Sequence, residues 1–126
     1  MSKKMIHTCI RVKELEKSVS FYEDVIGMEE VRRLDYPEYK FTLVYLALPG
    51  DTYELELTYN YDQEEPYDLG NGYGHIAIGV NDLEDTHEEY SQSGYDVTDL
   101  KELSDGAASY FFIKDPDGYK IEIVQL

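Results

Sequence analysis

Two histidines and two glutamates recur in matching surroundings, and imidazole plus carboxylate is a donor set for a divalent metal ion. The first pair is His7, in His7-Thr-Cys-Ile-Arg-Val12, and Glu56, in Glu54-Leu-Glu56-Leu-Thr58. The second is His75, in His75-Ile-Ala-Ile-Gly-Val80, and Glu122, in Lys120-Ile-Glu122-Ile-Val124. A lone strand histidine is usually a surface or satisfied core residue and a lone glutamate is usually solvated; recurrence is what singles these four out. Together they form two half-sites that could combine into one four-ligand centre for zinc, nickel, cobalt or iron, with room for water. Magnesium is disfavoured because it prefers oxygen ligands.

The elements that must position these donors are also written twice. The histidines lie 68 residues apart (7 to 75), as do Ile10 and Ile78, Val12 and Val80, Leu15 and Leu83, Glu16 and Glu84, and Tyr22 and Tyr90; the glutamates lie 66 apart (56 to 122). In the first copy, Met5 to Val12 reads as a strand. A helical spacing follows through Leu15, Val19, Tyr22, Val25 and Ile26, stopped by Gly27. Strands are expected near Glu29 to Asp35, Lys40 to Leu48 and Tyr53 to Tyr61, separated by Pro- and Gly-containing turns. The second copy reads as a strand His75 to Val80 and a helix Leu83 to Ser93, then strands Val97 to Glu102, Ser109 to Lys114 and Tyr119 to Gln125, with a tight turn at Asp115-Pro-Asp-Gly118. The expectation is an α+β fold of two tandem βαβββ modules, about 1–61 and 73–126, joined by a linker at about 62–72 into a single domain over 1–126.

Strand alternation puts His7, Cys9 and Arg11 on one face, and Glu54, Glu56, Thr58 and Asn60 on one face of a later strand. If His7 and Glu56 point into a cleft, Arg11 and Asn60 are polar handles for a substrate there. The second copy has Gly79 and Leu126 at those places. Other reactive types are discounted: His87 reads as an ordinary helical residue, Cys9 as small packing, and the acidic stretch Asp62 to Asp68 as a solvated loop.

Composition narrows the partner. A chain of 126 residues with formal charge −16 lacks the basic surface that nucleic acid or an anionic membrane needs, so neither is an expected partner. One cysteine excludes an internal disulfide, and no stretch is apolar enough for a signal peptide or membrane span, which gives a cytoplasmic expectation. Most of the 13 tyrosines read as structural.

Five stretches carry a family resemblance over nearly the whole chain: His7-Thr-Cys-Ile-Arg-Val12, Ser20-Phe-Tyr-Glu-Asp-Val-Ile-Gly-Met28, Glu56-Leu-Thr-Tyr-Asn60, Tyr73-Gly-His-Ile-Ala77 and Asp115-Pro-Asp-Gly-Tyr-Lys-Ile-Glu122. On them the chain resembles the glyoxalase I (lactoylglutathione lyase) family of the vicinal oxygen chelate superfamily. The resemblance implies cup-shaped half-barrels paired in a homodimer and a metal held by His7, Glu56, His75 and Glu122. It also implies isomerisation of a methylglyoxal–thiol hemithioacetal to the S-lactoyl thioester through an enediolate. One divalent ion per site is implied, Ni²⁺ or Co²⁺ favoured by the short chain, with Zn²⁺ as the alternative. Glu122 would be the catalytic base, Glu56 a ligand that can serve the opposite substrate enantiomer, and Arg11 and Asn60 the grip on the γ-glutamyl end of glutathione. The chain departs from the glutathione-specific pattern where Ser104-Asp-Gly-Ala-Ala-Ser109 replaces a Lys-Gly-Gly loop, which leaves the thiol open. Rival readings on the same fold are a dioxygenase, a thiol transferase, or a metal-free ligand-sequestering protein.

Overall fold

The computed structural model describes residues 1–102 and 109–126. The chain divides into two compact units, Met1–Tyr67 and Asp68–Leu126, each built on one four-stranded open sheet. In the first unit β1 (His7–Arg11) leads into α1 (Leu15–Ser20), followed by β2 (Glu29–Tyr36), β3 (Phe41–Ala47) and β4 (Glu54–Asn60). The sheet order is β1-β4-β3-β2, with β1 parallel to β4 and the other pairs antiparallel. The second unit repeats this with β5 (Ile76–Val80), α2 (Leu83–Ser91), β6 (Lys101–Glu102), β7 (Ser109–Lys114) and β8 (Lys120–Gln125), in the order β5-β8-β7-β6. The βαβββ pattern is therefore present twice.

The two copies agree in register as well as in order. Thr8, Cys9 and Ile10 stand opposite Leu55, Glu56 and Leu57; Ile76, Ala77 and Ile78 stand opposite Ile121, Glu122 and Ile123. A register slip by one residue would turn each glutamate to the other face, so this match is what keeps Glu56 and Glu122 in equivalent places.

One face of each sheet is apolar and covered. Ile10, Val44, Leu46, Leu55 and Leu57 are buried in the first unit, and Ile78, Phe111, Ile113, Ile121 and Ile123 in the second. Each such side chain contributes roughly 1.5–3 kcal/mol on burial. Phe111 meets the α2 residues His87 and Tyr90 edge-on at 4.8 and 5.9 Å. That contact, with His87 Nε2 2.8 Å from the Thr98 carbonyl, accounts for His87 as a packing residue. By alternation, Glu56 and Glu122 turn to the opposite faces.

Two elements differ from the sequence expectation. The helix expected to run to Ile26 is α-helical only to Ser20 and continues as a π-helical segment, Phe21–Ile26, which buries Phe21, Tyr22 and Ile26 before Gly27 ends it at φ 93°. Wider winding lets these large side chains share one face. The strand expected from Val97 to Glu102 shrinks to Lys101–Glu102 plus an isolated bridge from Val97 to Ile113. Here the Thr98 hydroxyl takes the Phe112 N–H at 2.9 Å, replacing a ladder bond. The expected loop change at Ser104 to Ala108 lies outside the described residues. Among the described residues, no helix is long and apolar enough to cross a membrane.

Candidate metal centre

In the first unit β1 and β4 bring an imidazole against a carboxylate. His7 Nε2 lies 3.5 Å from Glu56 Oε2, with the His7 side chain 34% and the Glu56 side chain 11% exposed. Burying a carboxylate is costly unless its oxygens are hydrogen-bonded, and here they are. The Tyr45 hydroxyl, from the neighbouring strand, donates to Glu56 Oε2 at 2.5 Å, and the Thr58 hydroxyl donates to Oε1 at 3.2 Å. Cys9 Sγ sits 3.3 Å from Thr58 Oγ1. Burial alone would raise the Glu56 pKa, but the hydrogen bonds from Tyr45, Cys9 and Thr58 and the charge of His7 outweigh it, and the carboxyl is held below its ordinary value. Desolvation, then the hydrogen bond to Glu56 and its charge, push the Tyr45 phenol up to about 12, so it remains a donor at neutral pH.

Tyr45 is itself held in place. Its ring packs edge-on to His7 at 5.8 Å, and the Arg32 guanidinium lies 3.9 Å over the ring centroid. Arg32 in turn grips Glu54 with two hydrogen bonds of 2.6 and 3.0 Å. Glu54, placed by alternation on the same face as Glu56, is thus locked in an ion pair.

The second unit builds the same pair with fewer supports. His75 lies immediately before β5, and its Nε2 is 3.5 Å from Glu122 Oε1, with side chains 43% and 22% exposed. Phe112 occupies the place of Tyr45: each aromatic stands opposite its glutamate, and Phe112 meets His75 edge-on at 5.4 Å. Phe112 has no hydroxyl. The repeat also puts Val124 where Thr58 stands and Ala77 where Cys9 stands. Among the described residues, Glu122 has His75 as its polar neighbour and none of the three donors that surround Glu56.

The expected handles are both in the first unit. Arg11 is exposed at the end of β1, opposite Thr58, and its charge reaches Cys9. Asn60 ends β4, and its Nδ2 donates to the Tyr67 hydroxyl at 2.9 Å. At the corresponding places of the second unit, Leu126 fills the space over Gly79: a Cβ added there would come within 2.5 Å of the Leu126 side chain. Cys9 is exposed by area, yet partial desolvation raises its thiol pKa despite the Thr58 hydrogen bond, which removes the thiolate needed for reactivity.

Sequence pattern alone does not single out Tyr45 or Arg32, because most of the tyrosines read as structural. A signal was present: antiparallel register from Glu56 and Glu122 pairs Tyr45 with Phe112, and the difference of one hydroxyl appears at once.

The donor chemistry fits a divalent ion. Two donors bound to one ion at about 2.0–2.2 Å stand roughly 3–3.5 Å apart, and the 3.5 Å separation in each pair matches that with little adjustment. Among the described residues, no group of three or more His, Cys, Asp or Glu is placed to hold a metal ion; each unit brings together one histidine and one glutamate.

A family model of the Glyoxalase/Bleomycin resistance protein/Dioxygenase superfamily matches residues 4–123. The lactoylglutathione lyase of Neisseria meningitidis is 45% identical over 97% of this chain and 90% of its own. Among solved structures, the trypanothione-dependent glyoxalase I of Leishmania major is 39% identical with a TM-score of 0.84, covering 98% of this chain and 87% of that one. Glyoxalase I of Zea mays is 34% identical with a TM-score of 0.91, covering 99% of this chain and 45% of that longer one. The chain belongs to the glyoxalase/bleomycin resistance/dioxygenase superfamily and, within it, to the glyoxalase I (lactoylglutathione lyase) family of enzymes.

Proposed function

We propose that this chain isomerises the hemithioacetal of methylglyoxal and a thiol, glutathione in the first instance, to the S-lactoyl thioester. The observation that carries the reading is the pair of equivalent half-sites, His7 with Glu56 and His75 with Glu122, each with its donors 3.5 Å apart. We assign all four as ligands of one divalent ion, Ni²⁺ or Co²⁺ in preference to Zn²⁺, in a homodimer that brings one half-site of each kind together. Pairing also covers sheet faces and edges that a single open sheet leaves bare. The compartment we assign is the cytoplasm.

When bound, the ion supplies stabilisation of the negative charge that appears on the substrate oxygens once the carbon acid loses its proton. The rest falls to the side chains. Glu122 takes the proton from the hydroxyl-bearing carbon and returns it to the neighbouring carbon, a role suited to the carboxylate that lacks restraining donors. Glu56, held by Tyr45 and Thr58, keeps its place. Arg11 offers a guanidinium to the carboxylate of the thiol's α-amino acid end, and Asn60 hydrogen-bonds beside it.

The test is to strip the protein with a chelator, restore Ni²⁺, Co²⁺ or Zn²⁺, and follow thioester formation with glutathione and with other thiols. Thioester should form with at least one metal, fastest with Ni²⁺ or Co²⁺. No thioester with any metal and any thiol ends the lyase reading in favour of a dioxygenase, transferase or sequestering role. The trypanothione dependence of the Leishmania relative is the reason to include a second thiol.

A further inference from the structure

Glu54 is a third potential donor beside His7 and Glu56, and it is held away from them. It is the strand partner of His7 across β1 and β4, and its side chain is only 16% exposed. By alternation it shares a face with Glu56, two residues on and roughly 7 Å along the strand. A carboxylate there has the reach to approach an ion held by His7 and Glu56. Yet among the described residues no three such donors converge. The two oxygens of Glu54 are taken instead by Nη1 and Nη2 of Arg32, at 2.6 and 3.0 Å. A guanidinium fork that meets both carboxylate oxygens fixes the direction of a carboxylate as well as its charge.

Arg32 reaches Glu54 through an irregularity in the sheet. Glu30 stands opposite Leu46 and Arg32 opposite Tyr45, so β2 sets two residues, Val31 and Arg32, against one of β3. In an unbroken register Val31 would face Tyr45, and Arg32 would face Val44, which is fully buried in the apolar core. The bulge turns Arg32 onto the face of Tyr45, where its guanidinium lies 3.9 Å over the ring centroid. Re-aiming one side chain beside a site is a recurrent use of such bulges. The repeat gives an internal comparison: Lys120 stands two residues before Glu122 as Glu54 stands two before Glu56. A protonated ammonium has no lone pair to offer an ion. Both copies therefore keep a free carboxylate off this position, the first by pairing it and the second by replacing it.

We infer that Arg32 is a positioning residue that withholds Glu54 from the metal, and that this pairing sets which divalent ion the first half-site prefers. The inference rests on the reading of His7 and Glu56 as ligands. One imidazole with one carboxylate keeps the nitrogen share that suits Ni²⁺, Co²⁺ or Zn²⁺. A second carboxylate would shift the half-site toward oxygen-preferring ions such as Mn²⁺.

The test uses the full chain and measures affinity for Ni²⁺ and for Mn²⁺ by chelator competition, in wild type, in Arg32→Met and in the double variant Arg32→Met, Glu54→Gln. Methionine keeps an apolar stem against Tyr45 and removes the fork. Loss of one positive charge strengthens the binding of both ions alike, so the ratio of the two affinities is the readout. In Arg32→Met the ratio should move on the order of tenfold toward Mn²⁺, the scale on which outer contacts tune a metal site. In the double variant it should return to within about threefold of wild type. An unchanged ratio in Arg32→Met overturns the inference. So does a shift that persists in the double variant, which would make Tyr45 rather than Glu54 the route by which Arg32 acts. Wild type that binds neither ion removes the ligand reading and the inference with it, whereas binding with an unchanged ratio removes the inference alone.

Discussion

Tyr45 donates its phenolic hydrogen to Glu56 at 2.5 Å, and at the equivalent place of the second half-site Phe112 has no hydroxyl to give Glu122. Tyr45 and Phe112 share the equivalent strand, the register against the glutamate, and the edge-on contact to the histidine. A carboxylate fixed by Tyr45 and Thr58 is suited to holding an ion, whereas one without those donors can swing toward a substrate carbon. Tyr45→Phe removes one of the three donors to Glu56 and leaves Thr58 and Cys9 in place. Metal affinity, measured by competition with a chelator, should fall about 10-fold or more, as expected for loss of an outer hydrogen bond to a ligand. Urea denaturation should show a cost of only about 1–2 kcal/mol.

The converse change adds the missing hydroxyl. Phe112→Tyr should restrain Glu122 and lower kcat several-fold with little change in metal affinity. Steady-state kinetics on the metal-loaded protein check this; a variant with unchanged kcat would show that restraint of Glu122 is not what distinguishes the sites.

Acid should weaken one surface cluster in a defined direction. Arg33 makes two hydrogen bonds to Glu16, at 2.9 and 3.0 Å, and also pairs with Glu30. The Arg33 hydrogen bonds hold the Glu16 pKa below its ordinary 4.5. A carboxyl lowered in the folded state gives stability above its unfolded pKa that disappears as pH falls through the folded value. Glu16 is largely exposed, so solvent screening limits the contribution to about 0.2–1 kcal/mol. The melting temperatures of wild type and Arg33→Gln should differ slightly at neutral pH and converge well below pH 4.5.

Core packing in the second unit rests heavily on Phe111, which is fully buried and meets both His87 and Tyr90. Phe111→Ala should cost about 3–5 kcal/mol in urea denaturation. His87→Ala removes a ring contact and the interaction with the Thr98 carbonyl, and should lower stability while leaving metal affinity within about twofold, as fits a packing residue outside the metal pairs.

Much of the architecture was legible because it was written twice. The period-two alternation, the helical spacing and the Gly27 stop fixed the modules and brought His7 to Glu56 and His75 to Glu122. What the repeat could not reveal depends on atoms between strands. The π-helical winding after Ser20 follows from packing Phe21, Tyr22 and Ile26, and the break in the Val97 strand from one threonine hydroxyl. The Arg32, Tyr45 and Glu56 relay crosses β2, β3 and β4, so it became visible only once their register was known.

The roles proposed for Glu56 and Glu122 differ, and one paired measurement tests that difference most directly. Turnover and metal affinity are determined for Glu122→Gln and Glu56→Gln in the metal-reconstituted protein. Removing the base should cost on the order of 10²–10⁴-fold in kcat in Glu122→Gln while much of the metal stays bound; Glu56→Gln should lose metal affinity first and recover turnover as metal is raised. Near-normal turnover in Glu122→Gln with metal bound, or undisturbed metal affinity in Glu56→Gln, would contradict it.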